Sequence, residues 1–392
     1  MKKIIVLGAM QMHVPLIKYA KERGYYVITV DYLLDAPGHK IADEYSLIST
    51  TDLEAVTCLA RDKNVDIVMT FNSDPAAYTA AYVSKVLGLK GNPPKAVEIM
   101  SDKGLFRKFL YENGFNYPKY KVFSCSDEIL SVDLDFPVIV KPVDSSGSKG
   151  ITKVKDRSSL SKAFKLASEF SRCKKVIIEE FIEPKYNQLH GDAFVNNGKI
   201  TDIFLGDHHF NPNVNGLVPY STTFPSCINQ EELSKVEREV ERFIDLVGFI
   251  YGGINIEARI NKFNNKVYLI EVGARNGGNF TYEVIKNYSN FDFLKALFDI
   301  YDNKNEKQKY LIDKYASYLI VHSDKTGILK KIELSDEIRK LIIDRKPYVK
   351  IGEEVSIFNG ANSALEVLLL KSDQSSLSEL VKNYDKHISV EC

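Results

Sequence analysis

Short apolar runs that alternate with stretches of helical periodicity constrain the start of this chain more than any other feature. "KKIIVLGAM" is rich in β-branched residues and ends at Gly8, after which "VPLIKYAKERG" carries apolar residues at helical spacing and stops at Gly24. "YYVITVD" ends at Asp31, and "VDIVMTFNSD" ends in a polar tip ahead of "PAAYTAAYVSKVLGL", a helix with proline at its start. Continuous apolar strands alternating with helices imply a parallel sheet covered on both faces. Residues 1–117 are therefore expected to form a Rossmann-like α/β unit. Ligands of such sheets bind beyond the carboxyl ends of the strands, where Gly8, Asp31 and Asn72–Asp74 lie. Only one glycine of GxGxxG stands in "GAMQMH", so the dinucleotide signal is weak, and a small-molecule pocket shared with another domain is the better reading.

The 392 residues allow two to four compact units. Lys plus Arg and Asp plus Glu both total 52, so the basic excess that marks nonspecific nucleic-acid binding is missing. Cysteines stand at 58, 125, 173, 227 and 392, with no CxxC pair, which argues against a disulfide framework or structural zinc. The opening apolar run is too short for a signal peptide, and none approaches the ~20 residues of a membrane span. A cytoplasmic location is expected, with no nucleic-acid or membrane partner.

Beyond residue 100 the pattern changes. "SDKGLFRKFLYENG" reads as an amphipathic helix preceded by Lys103. In "FPVIVKPVDSSGSKG" a buried strand ends on Lys141 and feeds a loop of small residues. Such a loop lets backbone N–H groups approach phosphate oxygens closely, although GxxxxGK[ST] is absent and a surface turn is the simpler reading. "KKVIIEEFIE" is another buried strand, ending on Glu179 and Glu180. Asn197-Gly198 marks a hairpin, "ELSKVEREVERFIDLVG" an amphipathic helix, and "YASYLIVHSDKTGILKKIE" the start of a small β-rich cap. Glu257 and Glu271 interrupt two apolar strands joined through Asn264-Asn265. Pairing would bring the two carboxylates together, and they repel unless a proton or a cation lies between them. Beside a polyphosphate, hard oxygen ligands point to Mg²⁺. Arg259 and Arg275 could instead neutralise them.

The order of these motifs resembles the ATP-grasp superfamily, closest to carboxylate–amine ligases similar to biotin carboxylase and carbamoyl phosphate synthetase. The resemblance covers most of the chain. It implies an α/β chain with α+β grasp lobes: an N-terminal unit over 1–117, a lid lobe with the phosphate loop over 118–185, a central lobe with the metal site over 186–314, and a C-terminal β-rich cap over 315–392. It also implies that Lys103 and Lys141 hold ATP phosphates, and that Ser146, Gly147, Ser148, Lys149 and Gly150 form the mobile loop. Glu179, Glu180, Phe181 and Ile182 would grip adenine, Glu257 and Glu271 would hold Mg²⁺ or Mn²⁺, and Arg275 would touch the transferred phosphate. Lys141, Lys149 and Arg275 are the expected catalytic set.

Two positions depart from the family pattern. Gly273 stands where E-x-N-x-R would place Asn, which puts the second metal position in doubt. Gln188 aligns with the ribose-binding Glu, with His190 and Asp192 as nearby alternatives. His208 and His209 are candidates for contact with phosphate or substrate, and His209 is placed in the nucleotide set. The "GDHHFNPNVNGLVPYSTTFPS" stretch is expected as a loop between a strand and the long helix, near the active centre. The implied activity is ATP-dependent ligation of a small-molecule carboxylate to an amine, or to a thiol, through an acyl phosphate. Two alternatives remain: a phosphotransferase on the same scaffold, and a nucleotide-binding protein without turnover. A homodimer is the assembly common among such ligases.

Overall fold

A computed structural model describes residues 1–124, 129, 132–211, 214–304, 307–312, 314–360 and 363–392. Cys125 lies outside them, as do Pro212 and Asn213 of the histidine-bearing stretch. The first sheet is parallel, in the order β3-β2-β1-β4. Its strands are β1 (Lys3–Leu7), β2 (Tyr26–Val30), β3 (Glu44–Ser46) and β4 (Ile67–Met69). Side chains alternate along β1: Ile5 and Leu7 pack with Val56, Ala60, Ala76 and Val83, whereas Ile4 and Val6 pack with Leu16, Ile17 and Ala20. A strand buried on both faces needs apolar residues at every position, hence the continuous run. Helices α1 (Val14–Glu22), α2 (Leu53–Asp62) and α3 (Asp74–Leu87) cover the sheet, and α3 ends at Gly88 with φ 68°.

Helices α4 (Pro94–Ser101) and α5 (Lys103–Glu112) lead away from this unit, and the Asp102 carboxylate caps α5 by accepting from Leu105 N at 2.8 Å. The second sheet is antiparallel, in the order β5-β8-β6-β7. It comprises β5 (Tyr120–Phe123), β6 (Val138–Pro142), β7 (Thr152–Val154) and β8 (Val176–Glu180). Val138, Val140, Val176 and Ile178 form a small core with Leu160, Phe164 and Ala167 of α6 (Leu160–Phe170). The period of two along each strand turns Ile139, Lys141 and Glu179 to the opposite face, where they line a cavity.

The third sheet has eight strands in the order β13-β12-β9-β10-β11-β14-β19-β17. In chain order its first members are β9 (Leu189–Asn196), β10 (Lys199–Asn211), β11 (Asn215–Phe224), β12 (Tyr251–Ile260) and β13 (Val267–Gly273). The β9–β10 hairpin turns at Asn197 and Gly198, both with positive φ. Helix α7 (Gln230–Val247) packs on one face; α8 (Thr281–Ser289) and α9 (Phe293–Tyr301) pack on the other. The C-terminal stretch adds β14 (Tyr315–Val321), β15 (Gly327–Ile328), β16 (Lys331–Leu334), β17 (Ile342–Pro347), β18 (Glu354–Val355), β19 (Glu366–Ser372) and β20 (Ile388–Glu391). β14, β19 and β17 extend the eight-stranded sheet, with Ser221 of β11 opposite Leu319 of β14, so 186–314 and 315–392 share one sheet. This covers the β11 edge, which would otherwise leave backbone groups unpaired. The stretch expected as a loop over 206–226 is instead, in its described residues, mostly the far half of β10 and β11, paired with each other so that their backbone groups are satisfied. No helix among the described residues is long and apolar enough to cross a membrane. The four cysteines described are free thiols.

Candidate active site

Glu257 and Glu271 lie directly opposite each other across the β12–β13 ladder. Both face a cavity of about 250 Å³, together with Lys103, Lys141, Lys149, Arg275 and residues 145–148 of the loop. The structure thus gathers residues from α5, β6, β12, β13 and the loop after β6 around one space. Burial, then the charge of Glu271, push the Glu257 carboxyl up to about 7. Burial acts on Glu271 in the same direction, but Lys103, Arg275 and Lys141 outweigh it and hold that carboxyl below its ordinary value. Lys103 Nζ sits 3.3 Å from Glu271 and donates to the Ser145 carbonyl at 2.7 Å.

Lys141 is buried and donates to Glu179 Oε1 at 2.5 Å. Glu179 also accepts from Arg107 Nε at 2.9 Å, while Arg107 Nη2 donates to the Ile270 carbonyl at 2.9 Å. Glu179 therefore points at two cations and not at open space. Burial would raise its pKa, yet Arg107 and Lys141 bring it to about 2. Burial lowers Lys141 to about 8, and Arg107 and Lys103 add to that against the pull of Glu179. Glu179 is thus one anion shared between two cations, while Lys103 pairs with Glu271. The sequence reading passed over Arg107, although its signal was present: Lys103 and Arg107 are one helical turn apart on the apolar face of "KGLFRKFLYE".

The other nucleotide-set residues are placed as follows. Glu180 and Ile182 line a smaller cavity of about 80 Å³ with Ile139 and Gln188. Ile182 is buried, and among the described residues its N–H has no backbone acceptor. The Phe181 ring lies outside that lining, with Lys153 Nζ 3.4 Å and the Arg259 guanidinium 4.9 Å from its centroid. Gln188 donates to Glu257 Oε2 at 2.8 Å and accepts from Arg259 Nε at 2.7 Å; Arg259 also donates to the Ile182 carbonyl at 3.0 Å. Gln188 thus bridges the strand end to a metal-type carboxylate. In the loop, Gly150 turns away: it has φ 71°, and a Cβ there would stand 3.0 Å from the Phe170 ring.

His208 and His209 point to opposite faces of β10, as strand alternation requires. His208 faces the large cavity, stacked on His190 at 4.2 Å, with Nε2 4.0 Å from Glu257. His209 does not line it; its Nε2 bonds Thr223 Oγ1 at 3.0 Å on the other face, so the structure separates it from the nucleotide set. Asp192 is fully buried and accepts from Asn255 and Gly277 N, both at 2.9 Å or less, which leaves it away from any ribose position. His190, His208 and Glu257 have ligand atoms within 4.8 Å of one another. The two imidazole planes differ by only 13°, so their lone pairs run parallel and do not converge on one ion.

Gly273 has its own cause. A Cβ at this position would stand 3.3 Å from Asp74 Oδ1. Asp74, at the tip of the first unit, enters here and holds Arg275 through two hydrogen bonds, 2.8 Å from Nε and 2.9 Å from Nη2. At the far tip, the His13 ring covers Gly8, whose Cβ would lie 2.3 Å from His13 Nε2.

Residues 134–283 match the sequence profile of the ATP-grasp domain. Formate-dependent phosphoribosylglycinamide formyltransferase of Prochlorococcus marinus (strain NATL2A) is 29% identical over 188 residues, 46% of this chain and 48% of that protein. The C-terminal section of the carbamoyl phosphate synthase large chain of Aquifex aeolicus is 24% identical over 270 residues, 65% of this chain and 48% of its own length. The chain spans about half the length of these curated relatives. The crystal structure of L-amino acid ligase from Bacillus licheniformis superposes with a TM-score of 0.84 at 20% identity, covering 100% of this chain and 98% of that one, and so shares its fold.

Proposed function

We propose that this chain is an ATP-dependent carboxylate–amine ligase that uses Mg²⁺, with Mn²⁺ able to fit the same hard oxygen donors. One observation carries the reading: paired carboxylates, Glu257 opposite Glu271, face Lys103, Lys141 and Arg275 across a single cavity. The donor set suits a divalent cation, because two carboxylates face each other across one ladder, and burial and then the charge of Glu271 raise Glu257 to about 7. Bound ATP and its metal would supply the phosphoryl group that turns a carboxylate into an acyl phosphate, from which an amine, or a thiol, displaces phosphate.

The chain's own residues would do the positioning. Lys103 and Lys141 offer charge to phosphate oxygens at the mouth of α5 and on β6. The N–H groups and Lys149 of the Ser146–Gly150 loop would close over them and exclude water. Ile182 N–H is free to donate to a purine nitrogen, with the Glu180 end of β8 beside it. Arg275 is held by Asp74 at the edge of the metal acids, close to the reacting phosphate. The phosphotransferase reading calls for the same residues and differs only in whether an acceptor joins. Cytoplasmic location and homodimer assembly are part of the proposal.

Replacing Glu271 with Gln removes one metal oxygen charge and keeps the shape. ADP release should fall at least about 10²-fold with the melting temperature preserved. Turnover within a few-fold of the parent would refute the metal assignment.

A further inference from the structure

We infer that the acid or amine held beyond the metal carboxylates is unphosphorylated and carries an apolar substituent, which rests on the ligase reading above. Val218 of β11 and Tyr318 and Ile320 of β14 line the 250 Å³ cavity and not the smaller one, whereas Pro219 lines both. These side chains are apolar apart from the Tyr318 hydroxyl, which accepts from Thr222 Oγ1 at 2.7 Å. Asn72, Asn255 and Asn279, with His190 and His208, are polar side chains of the same lining. Such a surface holds a small polar head and an aliphatic or aromatic side chain.

A phosphorylated sugar needs more. A phosphate monoester brings up to two charges and is gripped by Arg or Lys, often through paired hydrogen bonds. The cations lining the cavity are Lys103, Lys141, Lys149 and Arg275. Lys103 and Lys141 stand with the acids of the nucleotide end, Lys149 lies on the loop assigned above to the ATP phosphates, and Arg275 is already paired with Asp74 at 2.8 Å. The adjoining cavity of about 280 Å³ adds Arg172, whose Nε lies 3.8 Å from Asp144. The turn at Gly8, covered by the His13 ring, lines neither cavity. Among the described residues, no cation facing either cavity is left over once a triphosphate is bound.

The test is ATP-dependent hydroxamate formation with full-length protein, Mg²⁺ and hydroxylamine. Leucine, methionine, phenylalanine and their 2-hydroxy acids are compared with glycine and 3-phosphoglycerate, and ribose 5-phosphate is added as a competitor. The expected result is hydroxamate with ADP release for apolar acids, at least about tenfold better in kcat/KM than for glycine, and no inhibition by millimolar ribose 5-phosphate. Ile320→Ala, or Val218→Ala should the first fail to fold, should move the preference toward bulkier side chains and leave the KM for ATP unchanged. A preference for 3-phosphoglycerate, or competition by ribose 5-phosphate, would overturn the inference while the ligase reading stood. ADP release with no hydroxamate from any acid would overturn the inference and the ligase reading together. That outcome is told apart from an inactive preparation by the loss of ADP release in Glu271→Gln.

Discussion

Glu257 is the residue on which the proposed chemistry turns. It sits opposite a second carboxylate and beside His208 and the Gln188 amide, with Lys141 and Arg275 further off. A cation binds the ionised carboxylate, so below about pH 7 it must displace a proton. Affinity for Mg²⁺ in the presence of a nonhydrolysable ATP analogue should therefore rise with pH, by up to about tenfold per unit, and level off above 7. Calorimetry at pH 6.5 in buffers of different ionisation enthalpy reads the released proton directly. Equal heats in all buffers would show that Glu257 is already ionised or is not a ligand. At the neighbouring departure, Gly273, a Cβ would press on Asp74 Oδ1 at 3.3 Å, so a side chain there would need the Asp74 carboxylate to shift by a few tenths of an ångström.

Between elements, the decisive contact is the one Arg107 makes. It is fully buried and ties α5 to β8 through Glu179 and to β13 through the Leu269 and Ile270 carbonyls. A buried charge is tolerated only when paired, and removing one partner typically costs about 3–5 kcal/mol. Arg107→Met should lower the unfolding free energy by that order, with part of the loss offset by Lys141, and should weaken ATP binding because Lys141 is drawn further onto Glu179. Arg107→Met combined with Glu179→Leu should regain most of the stability. Denaturant unfolding of the two variants checks this. A single variant within about 1 kcal/mol of the parent would mean that the clamp contributes little.

At the scale of the whole molecule, the three sheets are not equally joined. The main apolar core runs from β1 and α1 through α8 and α9 to β14 and β19. Arg23 adds ion pairs to Asp299 and Asp302, both at 2.9 Å, and Asn276 N donates to the Phe71 carbonyl at 2.9 Å. The β5–β8 sheet keeps a separate small core with α6. A body with its own core, joined through the Phe181–Glu183 segment, is the one able to move against the rest. Hydrogen exchange should slow on adding ATP and Mg²⁺ at residues 145–151 and 181–183, with the β1–β4 sheet unchanged. Protection centred on β1 and β2 would place the nucleotide elsewhere.

Much of this was legible in the sequence. The alternation of "KKIIV" and "YYVITV" with helices, the Asn197-Gly198 turn, and two acids inside the apolar runs "INIEAR" and "VYLIEVG" each report a local preference: burial on both faces, a positive φ, a charge that apolar surroundings would not otherwise admit. Such preferences act over a few residues and survive in any context. The motif order then pointed to the ATP-grasp arrangement, and Lys103, Lys141, Glu257, Glu271 and Arg275 do meet in one cavity. What local preference could not decide was partnership at long range. Whether His208 or His209 faces the cavity depends on the register of β10, where one residue reverses every side chain. That Glu179 is shared by Lys141 and Arg107, that Asp74 holds Arg275 beside Gly273, and that residues 315–372 extend the central sheet each depends on which distant surface reaches a buried group first. A buried charge or an open strand edge must find a partner, and only the packed chain determines which one.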